Sequence, residues 1–227
     1  MKKKNILLTG SEGLIGSFLK KKLKNKYNII CHDVKFKKKL DDELIFDKIF
    51  SQKIYAIIFC HGKNTTPLSN NTSINKNSFL DKKKIEEFLD TNLYLNIKII
   101  NKYLNTNTFG RVINFSSIYS LKSPKHFIYK NFSKEIGYSI SKAASNMMMK
   151  FLGAKFAKKF LFNSIILGGV HSKDLSNFFL KNYNNNNPTG RMMKLEEVLP
   201  VVNFLLDENN TYTNAQEIVV DGGWLSW

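Results

Sequence analysis

At 227 residues, 43% of them apolar, the chain can bury a substantial core and is too hydrophobic to stay disordered. No apolar run approaches the ~20 residues of a membrane span. The net charge of +17 comes from lysines spread over every predicted helix. Together with abundant asparagine this points first to an A/T-biased coding sequence. Attraction of anionic small molecules is the second reading. Nucleic acid, for which no recognised module is present, is the third and is left out of the expected partners, as is a membrane.

Asn5-Ile6-Leu7-Leu8 is a continuous apolar run suited to a buried parallel strand. Its brevity, and the Thr9-Gly10 that ends it, argue against a signal peptide. Gly10, Gly13 and Gly16 follow, and Leu14, Ile15, Phe18, Leu19 and Leu23 recur at helical spacing. Strand, glycine turn and helix form the context in which main-chain N–H groups at a helix N-terminus take up a pyrophosphate. Tyr27–His32 reads as a second strand ended by Asp33, 17 residues beyond Gly16. A carboxylate there accepts from adenosine ribose hydroxyls and disfavours a 2′-phosphate, which selects NAD; Lys35, Lys37, Lys38 and Lys39 keep NADP open. His32 reads as a surface residue, and Cys31 and Cys60 as buried reduced thiols, consistent with cytoplasm.

Leu44, Ile45, Ile49 and Phe50 suggest one short helix face, and Ile54–Cys60 the next strand, ending in His61-Gly62. Cys60 and His61 alone are too few ligands for a metal, and none is expected. The polar stretch 63–78 reads as a loop, facing either substrate or solvent. Residues 79–104 predict a long helix through Ile85, Phe88, Leu89, Leu93, Ile97, Ile100 and Leu104. Arg111–Ser117 is a strand ending in a serine pair. Tyr138 and Lys142, at i and i+4, share one face of the following helix. An ammonium near a phenol favours the phenolate, and a Ser117 hydroxyl could hold a substrate oxygen against the Tyr138 oxygen. Met147, Met148, Phe151, Leu152 and Phe156 on that helix read as core or subunit interface. Phe162–Leu167 is a further strand, followed by Gly168-Gly169-Val170. Residues 172–187 are a lid candidate, Leu195–Leu206 a helix, and Ile218–Val220 a last edge strand.

The glycine turn, the Ser117…Tyr138-x-x-x-Lys142 group, Pro188-Thr189-Gly190-Arg191 and Asp221-Gly222-Gly223-Trp224 together resemble the short-chain dehydrogenase/reductase family over nearly the whole chain. The resemblance implies a single α/β domain, residues 1–227, with a Rossmann-type doubly wound parallel sheet and helices on both faces. It implies a catalytic set of Asn92, Ser117, Tyr138 and Lys142, with Asn92 holding a relay water. It further implies a dinucleotide site of Gly10, Ser11, Gly13, Leu14, Ile15, Gly16, Asp33, Gly62, Tyr138, Lys142, Gly168 and Val170, with Asp41 facing the adenine.

Four departures stand out. The glycines are spaced as in sugar-nucleotide epimerases. Phe59-Cys60-His61-Gly62 stands where the family has Asn-Asn-Ala-Gly and matches only at Gly62, which puts the bracing of the central sheet in doubt. Leu167 replaces a proline. The 21 residues from Ser117 to Tyr138 are more than in common members. The extra segment, 121–137, carries Lys122, Lys125, His126, Tyr129, Lys130 and Lys134, which suits an anionic sugar or leaves a plain lid. That insert, Asn182-Tyr183 and the closing Asp-Gly-Gly-Trp-x-x-Trp are similar to the flagellin-modification, or legionaminic-acid-pathway, dehydrogenases. An NAD(P)-dependent oxidoreductase of a sugar phosphate or nucleotide-linked amino sugar, assembled as a homodimer or homotetramer, is the leading expectation. A 3-oxoacyl-type or other carbonyl reductase and a non-catalytic dinucleotide sensor are the alternatives.

Overall fold

A computed structural model describes residues 3–33, 43–67, 80–130 and 132–227. Asp41, the lysines at 35 and 37–39, and the 68–78 part of the expected loop lie outside the described residues. Six strands, β1 (Asn5–Thr9), β2 (Asn28–His32), β3 (Ala56–Phe59), β4 (Gly110–Ser117), β5 (Phe160–Leu167) and β6 (Glu217–Val220), form an all-parallel sheet in the order β2-β1-β3-β4-β5-β6.

The period-2 alternation of side chains explains the two layers. Ile6, Leu8, Ala56, Ile58, Ile113 and Ile165 face α1 (Leu14–Leu23) and α7 (Leu199–Leu206), meeting Leu19, Leu23, Val202 and Leu205. Leu7, Ile57, Phe59, Val112 and Phe162 face the other way, onto α2 (Glu43–Phe50), α4 (Leu95–Thr106) and α5 (Ile136–Phe156). A third cluster, with Tyr119, Tyr129, Phe179, Tyr183 and Trp224, lies beyond the carboxyl ends of the strands and includes α6 (Asn177–Asn185). Because the chain steps to opposite sides of β1, the crevice between β1 and β3 is a topological switch point, where such sheets bind ligands.

Several expectations need correction. His32 is buried and packs on Phe46 at a centroid distance of 5.4 Å, because β2 is covered by α2. Leu44 points to solvent; the inward face of α2 is Phe46, Ile49 and Phe50. Cys31 and Cys60 are free thiols but half-buried. The long helix is interrupted: α3 (Lys82–Leu89) passes into a π turn, Asp90–Tyr94, before α4. Its inward positions include Asn92 and Asn96, which an apolar pattern does not register, while Leu93, Ile97 and Leu104 are half-buried. Beyond these corrections, Trp224 stacks on Tyr183 at 4.4 Å. Of the α5 face read as core or subunit interface, Met149 is buried and Met147 and Phe151 are exposed.

Candidate functional site

The glycine turn is held by close main-chain approach. Gly10 has φ +65°, and a Cβ there would lie 2.4 Å from the His61 nitrogen; a Cβ on Gly16 would lie 2.0 Å from the Gly10 oxygen. Side chains at either position would push β1, β3 and α1 apart. The Gly13 N-cap supplies no side-chain bond and the first turn of α1 carries no acid, so its N–H groups and dipole are available to an anion. Leu14 and Ile15 line the cleft beside it, and Ser11 is fully buried under the turn. Asp33, at the end of β2, accepts from the Glu12 N–H at 2.9 Å, which fixes its carboxylate beside the turn.

His61 restores the bracing that the motif change put in doubt. Its Nε2–H donates to the Thr91 carbonyl at 3.1 Å, and its Nδ1 accepts from the Thr9 hydroxyl at 2.6 Å. The ring thereby ties β1 and β3 to the π turn. Burial, and then the Lys142 charge, lower its pKa to about 3, with the Thr91 carbonyl opposing, so the imidazole is neutral. Asn92 sits in the π turn with its side chain fully engaged. Oδ1 accepts from the Lys63 N–H at 2.7 Å, and Nδ2 donates to the Lys63 carbonyl at 3.1 Å and to Ser141 Oγ at 2.9 Å. Asn96 Nδ2 donates to the Asn92 carbonyl at 3.1 Å. Gly62 leaves room for this group: a Cβ there would meet Asn92 Oδ1 at 3.2 Å and Lys142 Nζ at 3.4 Å.

Ser117 ends β4 and caps a short turn by accepting from the Tyr119 N–H at 3.2 Å. Tyr138 lies in the first turn of α5, against Phe88. Burial raises its phenol pKa, with the Ser117 hydroxyl opposing. Ser116 and Ser117 both line the cavity that Tyr138 faces. Lys142 donates to the Phe115 carbonyl at 2.7 Å, and burial lowers its ammonium to about 8, with Cys60 opposing.

A cavity of about 490 Å³ joins these parts; Leu14, Gly62, Ser117, Tyr138, Gly168 and Val170 are among its lining residues. Gly168 and Gly169 allow close packing after β5: a Cβ on Gly168 would meet the Asp221 Cα at 2.9 Å, and the Gly169 N–H donates to the Tyr183 hydroxyl at 2.6 Å. Val170 bridges to Met193. The 121–137 insert is docked by Tyr129, which stacks on Phe179 at 5.1 Å and hydrogen-bonds Tyr119 at 2.7 Å. Lys125 lies over Trp224 at 4.7 Å, whereas Lys122, His126 and Lys130 are exposed.

One residue of the site was read in sequence only as part of the basic insert. Lys134 is buried beside Tyr138, its Nζ 4.2 Å from the ring centroid, and it donates to Asn64 Oδ1 and the Thr65 carbonyl. Burial and Lys142 lower its pKa to about 7. No sequence signal set it apart, since it lies before the start of α5 and outside the helical spacing that pairs Tyr138 with Lys142. Among the described residues, no group of three or more His, Cys, Asp or Glu could hold a metal ion, and no helix is long and apolar enough to cross a membrane.

A short-chain dehydrogenase family model, described as enoyl-(acyl carrier protein) reductase, matches residues 65–225. Post-translational flagellin modification protein A of Campylobacter coli is 29% identical over 120 residues, 52% of this chain and 46% of that protein. The chain thus spans about half the length of the curated relatives it matches. A short-chain dehydrogenase from Leptospira borgpetersenii, solved with bound NAD+, superposes with a TM-score of 0.81 at 22% identity, covering 99% of this chain and 93% of that one. A putative D-mannonate oxidoreductase from Haemophilus influenza, with bound NAD, gives a TM-score of 0.82 at 22% identity, covering 99% and 95%.

Proposed function

The chain belongs to the short-chain dehydrogenase/reductase family, and from that premise we propose that it is an NAD(P)-dependent oxidoreductase interconverting a secondary alcohol and a ketone on a sugar derivative. The observation that carries this reading is that Ser117 and Tyr138 line one cavity that also reaches the glycine turn. A nicotinamide dinucleotide, when bound, supplies or accepts the hydride. The residues present fit it: the uncapped N-terminus of α1 for its phosphates and the Asp33 carboxylate for a ribose, which favours NAD over NADP. Gly62, Gly168 and Val170 would line its nicotinamide end.

In this reading Ser117 fixes the substrate oxygen and Tyr138 gives or takes its proton. Lys142 keeps a positive charge behind them, and Asn92 holds the turn on which the relay depends. The sugar assignment draws support from the likeness to a flagellin-modification protein and from the basic insert. The proposal takes 1–227 as one domain and as a homodimer or homotetramer, with exposed Tyr94, Met147 and Phe151 on the π turn and α5 as the contact face.

The test is reduced-nicotinamide formation from NAD+ or NADP+ with sugar phosphates, nucleotide-linked amino sugars, simple secondary alcohols and a 3-hydroxyacyl thioester. Tyr138→Phe should cut turnover by about 10²–10⁴-fold while dinucleotide affinity is kept. Turnover surviving in Tyr138→Phe would remove the role given to the tyrosine. Activity confined to the thioester would replace the sugar reading by the acyl one. Dinucleotide binding without turnover on the panel would favour a sensor.

A further inference from the structure

Lys134 is the one strongly buried charge in the cleft that the chemistry above leaves unused. Its side chain enters from the insert, and the residue is 8% exposed. Both acceptors that hold it, Asn64 Oδ1 and the Thr65 carbonyl, are neutral. Among the described residues no carboxylate lies within ion-pair distance of it, and the charge that acts on it most is another cation, Lys142. Asp174 lines the same cavity from an exposed position after β5. An ammonium taken out of water with only neutral partners is costly, and an anion brought to it removes that cost. Lys134 and Asn64 both line the cavity that holds Ser117 and Tyr138, so an anion seated there is part of the substrate.

We propose that Lys134, with Asn64, forms an anion subsite that receives a carboxylate or phosphate ester carried close to the reacting carbon of the substrate. The proposal rests on reading the cleft as an oxidoreductase site and sharpens it. The substrate class becomes hydroxy or keto compounds with a negative charge near the reacting carbon, over neutral polyols and acyl chains.

The experiment titrates inorganic phosphate and, separately, acetate into the protein by calorimetry at constant ionic strength, for wild type, Lys134→Gln and Lys134→Arg. Loss of a hydrogen-bonded charge should weaken the favoured anion by about tenfold or more in Lys134→Gln, with Lys134→Arg retaining most of it. Which anion responds distinguishes phosphate from carboxylate. In turnover, KM for a sugar acid or sugar phosphate should rise by about as much, with kcat and the neutral polyol little changed. Equal anion affinity in wild type and Lys134→Gln would overturn the subsite. So would a matching loss of thermal stability in Lys134→Gln and Lys134→Arg without change in anion affinity, which would make the lysine a brace for residues 64–65. Lys134-dependent anion binding without turnover of any sugar would leave the subsite standing and sink the sugar reading. Sugar turnover indifferent to Lys134 would do the reverse.

Discussion

At the scale of single residues, His61 carries a consequence for pH. Its folded pKa, about 3, lies below its ordinary 6.5. Between those values the unfolded chain binds a proton that the folded chain refuses. The stability His61 confers is therefore complete above pH 6.5 and lost as pH falls through that window. The loss should reach about 1.4 kcal/mol near a pH one unit below the ordinary value. Urea unfolding followed from neutral to mildly acidic pH should show this limb in the wild type and a flatter one in His61→Gln. An identical limb in both would assign the acid sensitivity to other groups. This role was hidden in the sequence because the family pattern offers no histidine at this position. The ring joins a hydroxyl on β1 to a carbonyl on the π turn, a contact that motif matching does not register. Lys134 was hidden for a different reason: among six basic or aromatic residues of the insert, only the fold decides that Tyr129 and Lys134 turn inward.

At the scale of elements, the π turn between α3 and α4 explains why one asparagine can hold the loop after β3. The wider turn lets the Leu95 N–H reach the Asp90 carbonyl and presents Asn92 to both main-chain groups of Lys63. Replacing Asn92 by alanine leaves half-buried main-chain groups unpaired at Lys63 and removes a buried bond to Ser141. A destabilisation of about 2 kcal/mol is expected from such losses. The same variant should raise hydrogen exchange at the Lys63 amide by one to two orders of magnitude, roughly what 1.4–2.8 kcal/mol of lost protection implies. An unchanged Lys63 amide would mean the loop is held by other contacts. The sequence pointed to a helix over 79–104 through its apolar spacing, and to Asn92 through the family resemblance. The π turn did not follow, since its cause is the bonding of Asn92 and Asn96 and not an apolar period.

At the scale of the whole molecule, alternation of apolar runs and amphipathic stretches pointed to strands and helices in turn, because their periods differ, and the family resemblance supplied the doubly wound parallel sheet. The alternation says nothing of how the C-terminal part of the chain is tied back. That work falls to Arg111, at the opposite end of β4 from Ser117 and so roughly 20 Å away along a strand. Its guanidinium donates to the carbonyls of Leu205 at 3.1 Å, Asn210 at 2.8 Å and Glu208 at 3.3 Å, and lies 5.4 Å from the Tyr55 ring centroid. These contacts join residues 94 to 99 positions apart through main-chain oxygens, which carry no side-chain signature. Arg111→Leu strands three carbonyls and should cost about 2–4 kcal/mol; Arg111→Lys, with a point charge in place of a planar fork, should recover part of it. Urea unfolding of the three proteins measures this. Because the strap lies at the far end of the strand from the cleft, the folded Arg111→Leu protein should keep dinucleotide affinity and kcat. A drop in kcat without loss of stability would show that the two ends of β4 are coupled, and would overturn the division of the strand into a structural end and a chemical one.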